Sequence, residues 1–143
     1  MPQPTLDGRP EVILDVEVRD GLFSVTLRNI GPRPALAVTT TFDAPLTALG
    51  GTKKLAALRV FRQLSFMAPG KVFEQFVDPL AAYVARQAPL LFTATITYRD
   101  REDRAYEESM THDLRVYLEL GQAVAVVEPP PARAGSPPPF PTS

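Results

Sequence analysis

From Val12 to Arg28 the chain alternates apolar and polar residues with a period of two. Val12, Leu14, Val16 and Val18 interleave with Asp15, Glu17 and Arg19, and Phe23, Val25 and Leu27 interleave with Ser24, Thr26 and Arg28. Side chains on a strand point alternately to opposite faces, so each run predicts a half-buried strand. Asp20-Gly21 between them is a two-residue turn signal, and the pair reads as a hairpin. Asn29-Ile30-Gly31-Pro32-Arg33-Pro34 then collects turn chemistry, because asparagine and glycine tolerate positive φ and proline stops a ladder. Ala35–Phe42 resumes as a strand rich in Val and Thr, with Leu36, Val38 and Phe42 on one parity.

The pattern weakens over Asp43–Lys54, which reads as a loop or a crossover between sheets. Leu55–Met67 has mixed periodicity, with a strand expected in its second half. Ala68-Pro69-Gly70-Lys71 is a turn, and Val72–Val77 is the next strand. Leu80, Tyr83, Val84 and Gln87 fall at helical spacing, so one or two helical turns are expected there, with Asp78 as N-cap and Pro79 at the first helical position. Leu91–Arg99 sets Phe92, Ala94, Ile96 and Tyr98 against Thr93, Thr95 and Thr97, which suits a strand with a solvated threonine face. After the charged loop Asp100–Arg104, Tyr106, Met110 and Leu114 share one parity. That parity runs on through Val116 and Leu118, longer than a usual strand, so a bend is expected near His112-Asp113.

Six or seven short strands with turn signals every ~8–12 residues are the pattern of a β-sandwich. The expected fold is all-β: an antiparallel, immunoglobulin-like sandwich of about seven strands with one short helical segment, a small barrel being the main alternative. Proline divides the chain further. Seven of the sixteen prolines fall within 128–143 and three within 1–10, where a fixed φ and a missing donor forbid both helix and ladder. The expected organisation is an irregular arm over 1–10, the sandwich over 11–120, and a disordered proline-rich tail over 121–143.

Composition narrows the chemistry. Among 143 residues, 15 Lys+Arg stand against 16 Asp+Glu, for a formal net charge of −1, which argues against a dedicated nucleic-acid binder. With no cysteine, disulfide frameworks, thiolate zinc sites and cysteine nucleophiles are excluded. No apolar run approaches the ~20 residues that span a bilayer, and Met1–Pro10 lacks an apolar stretch of signal-peptide type; the expected location is the cytoplasm. Twelve arginines to three lysines, with abundant alanine and proline, point to a GC-rich bacterial genome.

The segment Phe23–Asp43, with Asn29 and Gly31 at its turn and Pro34-Ala35 opening the next strand, resembles the corresponding segment of bacterial adhesion-related immunoglobulin-like (CARDB-like) domains. Ser65-Phe66-Met67-Ala68-Pro69-Gly70-Lys71 is similar to a later turn of that family, where Pro-Gly precedes a strand. Ile96–Glu108 looks instead like a closing hairpin of many bacterial proteins, with Asp103 standing where glycine is usual; aspartate tolerates a left-handed position. The resemblance implies a non-catalytic accessory or interaction module, and it carries no active site over.

Each candidate site has a plainer reading. His112 shares parity with Met110 and Leu114 and reads as a structural or edge histidine, with Ser109 on the opposite face and unable to form a dyad with it. Asp100, Glu102 and Asp103 cluster as calcium ligands do, but Arg99, Arg101 and Arg104 interleave with them, and a solvated charged turn is expected. Leu49–Lys54 contains Gly-Gly-Thr-Lys without phosphate-loop spacing and reads as a flexible crossover. Two binding surfaces remain. Pro137, Pro138, Pro139, Phe140 and Pro141 would dock in an aromatic-lined groove as preformed polyproline II, if the tail is more than a linker. The other is a sheet edge, which a partner strand or a second copy would extend. The sequence therefore favours a non-enzymatic interaction or accessory module with no cofactor, its partner a protein or a homodimer mate. The alternatives are a ligand binder or carboxylate-dependent enzyme with a cleft between loops, and a structural spacer.

Overall fold

A computed structural model describes residues 8–121. The strands are β1 (Val12–Arg19), β2 (Leu22–Asn29), β3 (Ala35–Phe42), β4 (Thr47–Ala48), β5 (Lys53–Lys54), β6 (Leu64–Met67), β7 (Val72–Pro79), β8 (Leu91–Arg99) and β9 (Ala105–Asp113). Three short helices, α1 (Arg59–Arg62), α2 (Leu80–Ala85) and α3 (Arg115–Glu119), lie between or after them. All pairing is antiparallel. One sheet has the order β1-β2-β7 and the other β6-β3-β8-β9, with β4 and β5 forming a separate small hairpin. The fold is an antiparallel β-sandwich, as the alternation predicts.

The hairpin of β1 and β2 follows from its turn. Asp20 and Gly21 have φ of 52° and 77°, and positive φ at both central residues gives the twist that joins two strands through two residues. The resulting register sets Val12, Leu14 and Val16 beside Phe23, Val25 and Leu27 on the buried face. Phe92, Ala94, Ile96 and Tyr98 of β8 close the core from the opposite sheet. Outside, the β8 threonines pair across the strands: Thr93 and Thr111 hydroxyls lie 2.7 Å apart, and Thr95 and Ser109 lie 2.9 Å apart.

Asn29 joins the sheets. Its side chain is 1% exposed; its Oδ1 accepts the amides of Glu11 (3.2 Å) and Gly31 (3.1 Å), and its Nδ2 donates to the carbonyls of Arg33 (2.8 Å) and Met67 (3.1 Å). Its backbone amide and carbonyl bond Lys71 and Gly70 as well. Neither Asn29 nor Gly31 has the positive φ expected of this turn. Gly31 is required by proximity: a Cβ there would sit 2.5 Å from the Glu11 nitrogen and 2.7 Å from the Arg9 oxygen.

Several expectations change. Among the described residues the strands number nine rather than about seven, because the segment expected to be an irregular crossover folds as β4 and β5. Among the described residues, three short α-helices and two 3-10 turns, Leu49–Gly51 and Leu55–Ala57, replace one helical segment. Asp78 does not cap α2; β7 runs on to Pro79, which is itself the N-cap residue, and the Asp78 carboxylate turns to Arg86 and Gly50. In β3, Ala37 has a φ of 52° and the register with β8 slips between Leu36 and Thr39. This bulge shifts the parity, so Ala35 and Val38 are buried and Leu36 is not. Beyond β9, Asp113 Oδ1 accepts the Arg115 amide at 3.1 Å, an Asx turn that converts the expected bend into α3.

Two stability predictions follow from this packing. Asn29→Ala leaves two buried amides and two carbonyls without their partner and lowers the urea unfolding free energy by about 2–4 kcal/mol, whereas Ile30→Ala, at an exposed neighbour, changes it by less than about 0.5 kcal/mol. The Thr40 hydroxyl is buried with no hydrogen-bond partner among the described residues. Thr40→Val therefore raises the unfolding free energy by about 1 kcal/mol in the same measurement; a loss of stability would contradict the assignment.

Candidate functional site

An open sandwich exposes strand edges whose unpaired amides and carbonyls accept another strand unless something blocks them. Four edges are present: β1 and β7 in one sheet, β6 and β9 in the other. The β1 edge is closed by side chains from the facing sheet. The Val12 amide meets the Tyr98 hydroxyl, the Leu14 amide points at Met110 Sδ at 3.1 Å, and His112 Nε2 donates to the Leu14 carbonyl at 2.8 Å. The Val16 amide is taken by Asp15 Oδ1 at 2.9 Å. His112 is thus an edge histidine, as its parity predicts, and the carbonyl partner fixes the proton on Nε2.

On β9, Glu108 points inward and accepts the Tyr98 hydroxyl at 2.6 Å, with Arg9 3.7 Å away. Burial, and then this bond to Glu108, raises the Tyr98 pKa. An inward charge of this kind discourages strand addition. On β7, Gln75 Nε2 donates to the Phe76 carbonyl at 2.7 Å, and the end of the strand lies under the β4–β5 hairpin through Asp78. That carboxylate accepts the Gly50 amide at 3.0 Å and the Arg86 guanidinium at 2.7 and 3.0 Å, while Arg86 also holds Thr47.

The fourth edge differs. β6 reads Leu-Ser-Phe-Met and contains no ionisable residue. Phe66 is 47% exposed and Ser65 is exposed too. Alongside β6, at the Ala37 bulge, lies a cleft of about 610 Å³ lined by Leu36–Thr39 of β3 and by Arg62–Ser65. A smaller cleft of about 260 Å³ on the other side of Ala37 reaches Thr97, Arg99 and Glu107. The bulge thus gives the face beside β6 its relief. Alanine is not a residue expected at positive φ, so no sequence signal marks this position. The uncharged run of β6 is visible in the sequence, but only pairing shows that it is an edge.

The charged hairpin loop is organised from within. Asp100 is 3% exposed rather than solvated. Its carboxylate accepts the amides of Glu102 and Arg104 (2.9 Å each), Arg104 Nε (2.8 Å) and the Tyr106 hydroxyl (2.7 Å). Burial alone would raise its pKa; the Tyr106 and Arg104 hydrogen bonds outweigh that and bring it from 3.8 to about 2. Glu102 and Asp103 point to solvent, and Asp103 takes the left-handed conformation expected of it, with φ of 65°. Asp113, the other carboxylate held low, is paired with Arg115 at the start of α3. Glu17 and Glu74 share a shallow concavity of about 260 Å³ on the outer face of the β1-β2-β7 sheet, where Glu17 is paired with Arg19 and Arg28. Pro137–Pro141 lie outside the described residues.

These features define an all-β antiparallel sandwich whose candidate site is a sheet edge that no described residue blocks, beside a bulged groove. No helix among the described residues is long and apolar enough to cross a membrane. The chain belongs to a family described as a domain of unknown function (DUF8453), whose model matches residues 5–118. Comparison with curated proteins and with solved structures finds no match.

Because the folded pKa of Asp100 lies below 3.8, the folded state favours the ionised form. Its contribution is complete above the ordinary carboxylate pKa and is lost as pH falls from about 4 to about 2. Asp100→Asn is therefore less stable than the wild type at pH 7, and the gap narrows across that window in urea titrations. A gap that stays constant down to pH 2 would assign the effect to geometry instead of charge.

Proposed function

We propose that this protein is a non-enzymatic interaction module of immunoglobulin-like type that binds a protein partner by strand addition at β6. The observation that carries the proposal is the contrast among the four edges: three hold a capping side chain, an inward carboxylate or a covering hairpin, and β6 has none of these among the described residues. Main-chain pairing would supply affinity, and the cleft beside Leu36 and Leu64 would receive alternate side chains of the added strand.

The strand order supports the immunoglobulin-like reading. Three strands, β1-β2-β7, face four, β6-β3-β8-β9, and the chain passes between the sheets after β2, β6 and β7, a Greek-key pattern. The likeness of the Asn29–Ala35 and Pro69-Gly70 segments to CARDB-like domains points the same way. Against the enzyme reading stands the placement of the carboxylates. The pKa of Asp100, at the β8–β9 turn, is held low by Tyr106 and Arg104 and that of Asp113, at the start of α3, by Arg115, and neither lines the β6 cleft.

The edge is tested by amide NMR on the full chain with a six-residue peptide alternating valine and threonine. Resonances of Leu64–Met67 shift on titration, and those of Val12–Val18 stay in place. Shifts confined to β7 or β9 would overturn the proposal.

A further inference from the structure

The formal net charge of −1 conceals a segregation along the chain. Residues 44–73 contain no aspartate or glutamate but hold Lys53, Lys54, Arg59, Arg62 and Lys71. Lys53 and Lys54 lie in the β4–β5 hairpin, whereas the other three flank β6 in the chain. Arg59 and Arg62 form α1 immediately before the strand, and Lys71 follows it across the Ala68–Lys71 turn. All three side chains are exposed. Neither Arg59 nor Arg62 has an ion pair among the described residues, and Arg62 lines the cleft beside β6. Among the described residues most other arginines are compensated, Arg28 by Glu17, Arg86 by Asp78, Arg104 by Asp100 and Arg115 by Asp113, while Arg101 stands exposed in the β8–β9 turn. Arg59 and Arg62 thus stand without an ion pair beside the one edge that no described residue blocks.

Resting on the edge reading above, we infer that the occupant of β6 is an extended acidic peptide segment, apolar at alternate positions, supplied by a different protein. The apolar positions meet Leu36, Leu64 and Phe66, and the carboxylates meet Arg59, Arg62 and Lys71. A second copy paired through its own β6 is disfavoured, because it would bring the same cations against each other. Like charges across an interface suppress that pairing while complementary charge speeds the encounter with an anionic strand.

The test uses the full chain and fluorescein-labelled hexapeptides alternating valine with glutamate, lysine or threonine, followed by anisotropy and by amide NMR. The glutamate peptide binds at least about tenfold more tightly than the lysine peptide at low salt, and the preference shrinks as ionic strength rises. The Arg59→Glu, Arg62→Glu double variant reverses the order; both side chains are exposed, and far-UV circular dichroism checks that the fold is intact. A glutamate peptide N-methylated at alternate amides loses binding, because strand pairing needs those donors. If all three peptides shift Leu64–Met67 equally, the edge stands and the acidic-partner inference falls. If none shifts those residues, the edge reading falls and takes the inference with it. Undiminished binding of the N-methylated peptide, or self-association in sedimentation velocity that Arg62→Glu abolishes, also overturns the inference; the second result would make another copy the occupant.

Discussion

Asn29 ends a strand of one sheet, yet its carboxamide reaches the Met67 carbonyl at the end of a strand in the other. The same side chain receives the Glu11 amide just before β1 and closes its own turn through Gly31 and Arg33. A buried amide with two lone pairs and two donors can satisfy at most four partners, and here all four are protein groups. Hydrophobic burial is non-directional and would press the two sheets together at many offsets. The Asn29 hydrogen bonds select one, and they set where β6 ends relative to β2 and β7. Gly31 is tied to the same arrangement, since the chain before β1 passes too close for any side chain.

The edges follow from how the sheets are locked. With β1 facing β9, the side chains of Tyr98, Met110 and His112 cross the gap and occupy the outward main chain of β1. With the β4–β5 hairpin pinned by Asp78 and Arg86, the end of β7 is covered. β6 lies beyond both devices. Its exposed phenylalanine, its lack of charge and the bulge at Ala37 are separate features of the sequence that become one surface only when β3 and β6 pair. Arg59, Arg62 and Lys71 flank that strand in a stretch, residues 44–73, that contains no aspartate or glutamate.

Legibility differed from element to element for physical reasons. The two long hairpins, Val12–Asn29 and Leu91–Asp113, alternate cleanly because one face of each is buried, so their ends are readable to within a residue or two. The helix after Pro79 was readable by spacing, but its capping was not: Asp78 has a stronger partner in the Arg86 guanidinium than a helix amide would be. The region 43–63 was obscure because its short pieces, two-residue strands and single helical turns, are held by packing of Leu46, Ala48, Leu55 and Phe61 rather than by local periodicity. Asp100 was expected in water, since its arginine neighbours suggested a solvated turn; those neighbours, with the Tyr106 hydroxyl and two backbone amides, are what permit its burial.

The sequence by itself determined the class of fold, the hairpin turn at Asp20-Gly21, the left-handed Asp103 and the strand face on which His112 lies. All of these are encoded within a few residues, by the two-residue period or by side chains that tolerate positive φ. Tertiary structure alone decided which strands are edges, which edges are closed, and where the uncompensated cations gather. Those properties depend on contacts such as Met110 with Leu14 and Asn29 with Met67, between residues far apart in the chain, and no local pattern records a partner that distant.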